Sequence, residues 1–201
     1  MSHQEERLKS THRPTKEELL AAVGARMQDI IAPGLKVLFC GINPSVYSAV
    51  VRHHFARPGN RFWPALYASG FTDRLLAPHE QGELLVRGYG ITNVVEEASV
   101  AADSLTARDY AEGGRKLEAK VRRYQPRYLA VLGIGAWRTA FGQPRAVLGL
   151  QSEPLAGARV WVLPNPSGLN AHYRPADLAR MFRELRLAVE AGGQRALHAS
   201  E

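Results

Sequence analysis

The sequence has little cysteine, which limits the covalent and metal chemistry open to it. Cys40 is its single cysteine, so an internal disulfide, an iron–sulfur cluster and a multi-cysteine zinc site are excluded. Cys40 ends the apolar run LKVLFC and is interpreted as a small buried core residue. His53 and His54 are adjacent, but no partner ligands stand at zinc spacing. We therefore expect no metal and no cofactor.

Long apolar runs are also missing. No run approaches the ~20 residues needed to span a bilayer, so we expect no membrane segment. The first residues, MSHQEERLKSTHRPTKEE, are polar from the start and lack the apolar core of a secretory signal. A cytoplasmic protein is the expectation. The phosphate-binding patterns GxGxxG after a strand and GxxxxGK[ST] are absent as well, which argues against a small-molecule nucleotide enzyme.

Positive charge is in excess. The chain carries 26 Lys and Arg against 19 Asp and Glu, a net charge of +7, and its isoelectric point is about 9.9. Such a balance favours polyanionic partners, because neutralised phosphates release counterions. Good solubility alone explains the charge equally well. Charge therefore leaves nucleic-acid binding open without deciding it.

Length and composition predict one globular domain. The chain has 201 residues, of which 45% are hydrophobic and 22% charged, as in ordinary soluble domains. We expect a disordered basic tail over residues 1–14, a single domain over 15–191 and a flexible C-terminal tail over 192–201.

Strands and helices alternate along the predicted domain. Thr15 and Glu18 form a capping-box pattern that predicts a helix over 16–31. Continuous apolar runs predict strands over 35–40, 88–95, 128–132 and 159–163. Helical patterns predict further helices over 61–69, 78–87, 107–124, near Trp137 and over 175–191. This order predicts an α/β fold with a mostly parallel sheet covered on both faces. Functional sites in such folds lie at the carboxyl ends of strands.

Two Asn-Pro loops follow predicted strands. The first is GINPS, residues 41–45, where Pro44 restricts Asn43 to extended conformations. The Asn43 amide can hold a water by hydrogen bonds but cannot act as a strong base. On this segment alone, ordinary turn chemistry is the favoured interpretation. The second is PNPSGLN, residues 164–170, whose Leu169 is suited to act as a wedge between base steps. An exposed leucine by itself indicates little.

A long irregular stretch, HHFARPGNRFW, carries an aromatic and several cations. Phe55 is suited to stack on a nucleobase, although it is equally acceptable as a core residue. The four cationic or titratable side chains of the stretch are candidates for phosphate contacts: His53, His54, Arg57 and Arg61.

Several motifs in register carry a resemblance to a known family: GINPS, FARPGNRFW, GITNVVE, GGRKLEAKV, YQPRYLAVLG and WVLPNPSGL. From about residue 31 to 189 the sequence resembles the mismatch-specific uracil-DNA glycosylases, bacterial relatives of thymine-DNA glycosylase. The resemblance implies a three-layer fold with a small central sheet between helices. It implies roles for six residues: Asn43 as the catalytic asparagine that positions water, Phe55 as the stacking aromatic, Ile42 and Ser48 as pocket lining, and Gly168 with Leu169 as the DNA wedge.

The sequence departs from the family pattern at three places. Ser45 replaces the glycine of the common GINPG form and adds a hydroxyl to the base pocket. After the wedge leucine, Asn170, Ala171 and His172 stand where close relatives carry an arginine, so wedge strength and guanine preference are in question. Asn93, in GITNVVE, is an amide as in the thymine-acting branch. We expect it in the base pocket, with a strand-end cap of the backbone as the slightly favoured alternative.

The resemblance implies a monomeric repair enzyme whose partner is double-stranded DNA. It would flip uracil, etheno-cytosine or another modified pyrimidine out of a mismatch with guanine and hydrolyse the N-glycosidic bond. Backbone donors near Ile42 and Ser45 are expected to stabilise the departing base anion. Glu96 is a secondary catalytic candidate, although a salt bridge or a strand-end cap is the favoured interpretation. His172 is a secondary candidate for contacts with the DNA backbone.

No lysine stands in these motifs as a Schiff-base nucleophile, so hydrolysis that leaves an abasic site is expected. Two rival functions remain open. One is a non-catalytic DNA-damage-binding protein on the same fold, and the other is a small-molecule nucleotide hydrolase.

Overall fold

A computed structural model describes the backbone of residues 13–198 and the side chains of residues 13–193. Its centre is a five-stranded sheet in the order β2-β1-β3-β5-β4. The strands are β1 (Val37–Gly41), β2 (Tyr89–Asn93), β3 (Tyr128–Leu132), β4 (Gly149–Leu150) and β5 (Arg159–Leu163). All neighbouring strands are parallel except β4, which pairs antiparallel with β5.

Helices flank this sheet. They are α1 (Lys16–Ala21), α2 (Val46–Val51), α3 (Phe62–Ser69), α4 (Glu83–Val86), α5 (Ala107–Tyr124), α6 (Ile134–Ala140) and α7 (Pro175–His198), with short 3-10 turns at Pro78–Glu80 and Ala102–Ser104. α5 begins in a capping box, in which the Thr106 hydroxyl accepts from the Asp109 N–H and the Asp109 carboxylate accepts from the Thr106 N–H.

The apolar core lies on both faces of the sheet, and alternation along β1 divides it. Val37 and Phe39 face a cluster that includes residues of α3 and α7. Leu38 and Cys40 face the other cluster, together with residues of α5 and α6. Successive side chains of a strand point to opposite faces, so every residue of a doubly covered strand is apolar. The predicted three-layer α/β fold is confirmed.

The structure corrects the predicted first helix. The capping box of Thr15 and Glu18 forms, but the helix ends at Ala21 rather than residue 31. Gly24 has a φ of +79°, which breaks the helical path. The following segment is extended, and Ile30 exchanges two backbone hydrogen bonds with Ile91 of β2. Pairing with the sheet therefore replaces the continuation that local propensity favours.

Three other helical regions differ from the predictions. The helix expected over 78–87 is a 3-10 turn and the short α4, and α2 was not predicted. The last helix continues from Pro175 to His198, past residue 192, where the sequence placed a flexible tail. A Cβ added at Gly192 would lie 3.3 Å from the Arg127 guanidinium, so this turn of helix packs beside the sheet. The predicted N-terminal tail falls mainly on residues 1–12, which lie outside the described residues, as do 199–201.

The register of the sheet brings two sequence motifs together. Gly41, at the end of β1, pairs with Asn93, at the end of β2, and β5 leads at the same edge into the second Asn-Pro loop. Within residues 13–198, no helix is long and apolar enough to cross a membrane. The same residues contain no cluster of three or more His, Cys, Asp or Glu side chains that could hold a metal ion.

Candidate active site

A cavity of about 420 Å³ opens where β1, β2 and β5 end. Its size falls within the range of small-molecule pockets. The lining includes eight of the predicted site residues: Ile42, Asn43, Ser45, Ser48, Phe55, Asn93, Leu169 and Asn170. Among the predicted residues, Gly168, Glu96 and His172 do not line it.

The amide of Asn43 has a defined orientation. Its Nδ2 donates to Ser99 Oγ at 2.7 Å, to the Pro44 carbonyl at 3.2 Å and, at the limit of a hydrogen bond, to the Glu97 carbonyl at 3.5 Å. Carbonyl oxygens only accept, so the amide nitrogen must face this group. The amide oxygen Oδ1 accepts no hydrogen bond from the described residues. Asn43 lines the cavity, so this oxygen is an acceptor that could hold a water by one of its hydrogens.

Ser99 is a site residue that the sequence did not reveal. Its hydroxyl accepts from Asn43 and donates to the Ala101 carbonyl at 2.7 Å. Backbone bonds hold it beside the first Asn-Pro loop: its N–H donates to the Pro44 carbonyl and its carbonyl accepts from Val46. Ser99 is 56 residues away from Asn43 in sequence, in a segment without regular structure. No local pattern could have identified it.

Two serines supply one hydroxyl hydrogen to the cavity wall. Ser45 Oγ and Ser48 Oγ are hydrogen bonded at 3.0 Å. Backbone N–H groups donate to both oxygens, from Ser48 to Ser45 and from Ala56 to Ser48. One hydroxyl hydrogen serves the bond between the two serines, and the other has no acceptor among the described residues. The pair therefore offers a ligand a single donor.

Phe55 is held in place before any ligand binds. Its ring stacks on Phe62, with centroids 4.1 Å apart and planes at 29°. Its backbone has a φ of +54°, uncommon for an aromatic residue and a sign that tertiary packing fixes it. The ring also approaches Gly41, where an added Cβ would lie 3.2 Å from it. A planar base in the cavity can therefore stack on a ring that is already fixed.

The side chain of Asn93 is buried, with 5% of its surface exposed. Among the described residues it makes no hydrogen bond, so the backbone cap considered from the sequence is not seen. A Cβ added at Gly41 would lie 2.5 Å from Asn93 Oδ1, so glycine is needed for this close approach. An amide has both donors and an acceptor, and here they are left for a ligand.

Glu96 takes the structural role that the sequence favoured. Its carboxylate lies 2.8 Å from the Lys120 ammonium, which is also 2.7 Å from Asp29. The hydrogen bond from Lys120 lowers the pKa of Glu96. Burial acts to lower the pKa of Lys120, but the hydrogen bonds that its ammonium donates to Asp29 and Glu96 outweigh burial and raise that pKa. Glu96 is thus an ionised partner of an ion-pair network outside the cavity lining.

The second Asn-Pro loop, here called the wedge loop (residues 165–173), is ordered by its own amides. Asn165 Oδ1 accepts from the Ser167 N–H at 3.0 Å, and Asn170 Nδ2 donates to the Asn165 carbonyl at 3.0 Å. A Cβ added at Gly168 would lie 2.5 Å from the Gly59 carbonyl oxygen. Gly168 therefore serves close packing rather than flexibility. Leu169 projects from this loop with 74% of its surface exposed.

The predicted phosphate contacts are corrected in two places. His54 is buried, and its Nε2 lies 3.0 Å from the Gln28 carbonyl; burial lowers the pKa of His54 and favours the neutral ring. Arg61 is occupied by carbonyls of the wedge loop. Both were predicted from their position beside Phe55, and neither is available to DNA. Arg57 is exposed at the cavity mouth, and His53 lies beside Gln81.

Comparisons with known proteins identify the family and the fold of this chain. A model of the uracil DNA glycosylase superfamily matches residues 28–186. A solution structure from Methanosarcina acetivorans, of a protein provisionally named a uracil DNA glycosylase, superposes with a TM-score of 0.53 at 18% sequence identity. The superposition covers 82% of this chain and 99% of that one. At that identity, the likeness supports the fold alone.

Proposed function

This chain belongs to the uracil DNA glycosylase superfamily, and from that premise we propose that it is a monofunctional, mismatch-directed DNA glycosylase. The proposed substrate is uracil, or etheno-cytosine or another modified pyrimidine, chiefly opposite guanine in duplex DNA. The products are the free base and an abasic site. The observation that carries this proposal is the Asn43 amide, which lines a base-sized cavity beside a fixed aromatic ring and whose nitrogen is engaged while its oxygen accepts no hydrogen bond from the described residues.

Binding begins with the duplex. An exposed Arg57 lies at the cavity mouth, and the exposed His172 and Arg174 lie at the end of the wedge loop. These side chains are placed to contact phosphates. A base inside the duplex cannot reach the cavity, so the nucleotide must be extruded at a cost of a few kcal/mol, which is smallest for a mispaired base. Leu169 would fill the space that the extruded base leaves.

The extruded pyrimidine would stack on Phe55 and hydrogen bond to the Asn93 amide. As the C1′–N1 bond breaks, its electron pair remains on the base and the sugar becomes oxocarbenium-like. The free hydroxyl hydrogen of the Ser45–Ser48 pair is a donor suited to the anionic base. The Val46 N–H is not available for this, because it donates to the Ser99 carbonyl.

A water held by Asn43 Oδ1 would add to C1′ of the sugar and lose its proton to solvent. An amide is a poor proton acceptor, so this enzyme forgoes most of the roughly 10²–10⁴-fold contribution of general-base catalysis. It should depend on bases that already leave easily. None of the described residues that line the cavity is a lysine, which supports hydrolysis rather than an imine with strand cleavage.

A cleavage panel tests the proposal. The wild-type chain and Asn43→Ala are incubated in excess over duplexes containing G·U, A·U, G·T and G·etheno-C, and over single-stranded uracil, with and without alkali. We expect wild-type cleavage of G·U and G·etheno-C that appears only after alkali. Asn43→Ala should lose cleavage yet bind the G·U duplex with similar affinity.

Four outcomes contradict the proposal. Binding of G·U duplex without cleavage would indicate a damage-binding protein, and hydrolysis of free nucleotides without DNA binding would indicate a small-molecule enzyme. Strand nicking without alkali would exclude a monofunctional mechanism. Cleavage of A·U as fast as G·U would exclude the mismatch preference but not the glycosylase activity.

A further inference from the structure

Arg61 collects the carbonyl groups of the wedge loop. Its Nη2 donates to the carbonyls of Ser167 at 2.6 Å and Asn170 at 2.7 Å, and its Nη1 donates to the carbonyl of Tyr173. Its backbone N–H donates to the Pro166 carbonyl at 2.9 Å. One residue at the start of α3 thus binds four carbonyls spread over the loop that carries Leu169.

These carbonyls are the hydrogen-bond acceptors of the Arg61 guanidinium. No carboxylate among the described residues pairs with its guanidinium, and its Nε is buried without a hydrogen-bond partner. If the loop moved away, the remaining N–H groups would lose their acceptors as well, and buried unsatisfied donors are costly. The guanidinium therefore favours one loop conformation over any that leaves its donors unpaired.

Leu169 needs such support. Its side chain is 74% exposed, so packing against the protein does not fix it. The contact of Gly168 with Gly59 holds one point of the loop, and Arg61 holds the carbonyls on both sides of the leucine. The planar fork of arginine can bond several oxygens at once in a fixed geometry, which a lysine ammonium cannot reproduce.

We propose that Arg61 is a positioning residue that pre-forms the wedge loop, so that Leu169 meets the duplex without first being ordered. The role rests on the proposed function. Arg61 acts at insertion and base extrusion, and it leaves the chemistry at Asn43 untouched. Its effect on cleavage is transmitted through Leu169.

A double-mutant cycle tests whether Arg61 affects cleavage through Leu169. Single-turnover cleavage of a G·U duplex is measured for wild type, Arg61→Lys, Leu169→Ala and the double variant. We expect each single variant to lose about tenfold or more, since misplaced positioning groups cost up to about 10²-fold. The double variant should lose no more than the larger single loss. Losses that multiply would overturn the proposal, because independent effects add in free energy.

Amide hydrogen exchange gives a readout that needs no activity. In Arg61→Lys, the amides of residues 167–172 should exchange faster, while those of β1 are unchanged. Arg138→Lys is the matched control, since Arg138 also donates to a backbone carbonyl, that of Ala146, and neither residue lines the cavity. It should change neither exchange in the wedge loop nor cleavage.

The two proposals fail in different ways. A wild-type chain that cleaves none of the duplexes defeats the proposed function, and exchange alone then decides whether Arg61 orders the loop. Unchanged exchange in the wedge loop of Arg61→Lys, with folding intact by thermal unfolding, defeats the role of Arg61 whatever the activity.

Discussion

The two Asn-Pro loops follow β1 and β5 at the same edge of the sheet, with β3 between them, yet they are held by different means. The first loop, residues 41–45, is fixed through its backbone: the carbonyls of Gly41, Ile42 and Pro44 accept from Val94, Val95 and Ser99. The wedge loop is held by the side chains of Asn165, Asn170 and Arg61 and by the contact of Gly168 with Gly59.

This difference separates chemistry from DNA engagement. Backbone bonds that continue from a buried sheet open only when the sheet opens, so the first loop shares the stability of the core. Side-chain contacts at a surface loop open locally and at lower cost. The Asn43 amide therefore lies in the rigid part of the site, and we expect that one substitution can change the order of the wedge loop.

The largest effect on cleavage should come from replacing the donor nitrogen of the Asn43 amide with an acceptor oxygen. In Asn43→Asp, a carboxylate oxygen would replace Nδ2 and face the Pro44 and Glu97 carbonyls, now at 3.2 and 3.5 Å from the nitrogen. Like partial charges repel, so the carboxylate should turn from the catalytic orientation. We expect at least a ~10²-fold loss of single-turnover G·U cleavage at neutral pH, despite the stronger base.

Asn60→Asp is the control for added negative charge. Asn60 also lines the cavity, and its Oδ1 accepts from the Phe62 N–H at 2.9 Å, a bond that a carboxylate keeps. It should lose much less activity than Asn43→Asp. Wild-type or faster cleavage by Asn43→Asp would show that base strength, rather than the fixed amide, limits the reaction.

A smaller effect should come from the hydroxyl that orients the amide. Ser99→Ala removes the nearest acceptor of Asn43 Nδ2, at 2.7 Å, and leaves only the longer bonds. We expect about a tenfold slower single-turnover rate, which corresponds to roughly 1.4 kcal/mol. Ser99→Thr keeps the hydroxyl and should restore most of the rate.

Ser104→Ala is matched to Ser99→Ala. Both hydroxyls donate to the Ala101 carbonyl at 2.7 Å, but only Ser99 accepts from Asn43. Equal losses in the two alanine variants would mean that the segment over 99–104, and not the orientation of the amide, matters for cleavage.

The sequence predicted the sheet better than the contacts between its loops. The helix Ala107–Tyr124 and the strands Tyr128–Leu132 and Arg159–Leu163 have the predicted bounds. A capping box, continuous apolar runs and turn residues are local signals that agree with the fold there. The helix over 16–31 was wrong because Ile30 pairs with Ile91 of β2 and Arg26 with Glu97, and long-range pairing leaves no local signal.

The site divides in the same way. The resemblance of several motifs in register assigned Asn43, Phe55 and Leu169 to the site, and the structure brings these three residues to one cavity. Ser99 and the role of Arg61 depend on contacts across more than fifty residues. The burial of His54 could not be anticipated either, because its partner at Gln28 lies in the segment predicted to be helical.

The smallest effect concerns stability rather than rate, and it tests whether the rigid side of the cavity is dry. Burial lowers the pKa of His54 in the folded chain, against about 6.5 in an unfolded chain. Above pH ~6.5 both states hold the ring neutral, so folding stability is independent of this group. As the pH falls, the unfolded chain takes up the proton first, and folding stability is lost until the folded pKa is passed.

Urea unfolding at pH 7.5, 6.5 and 5.5 should show a smaller loss of unfolding free energy for His54→Gln than for wild type. His172→Gln, at an exposed position, should lose as much unfolding free energy as wild type. An equal change of unfolding free energy with pH in all three proteins would mean that water reaches the His54 ring.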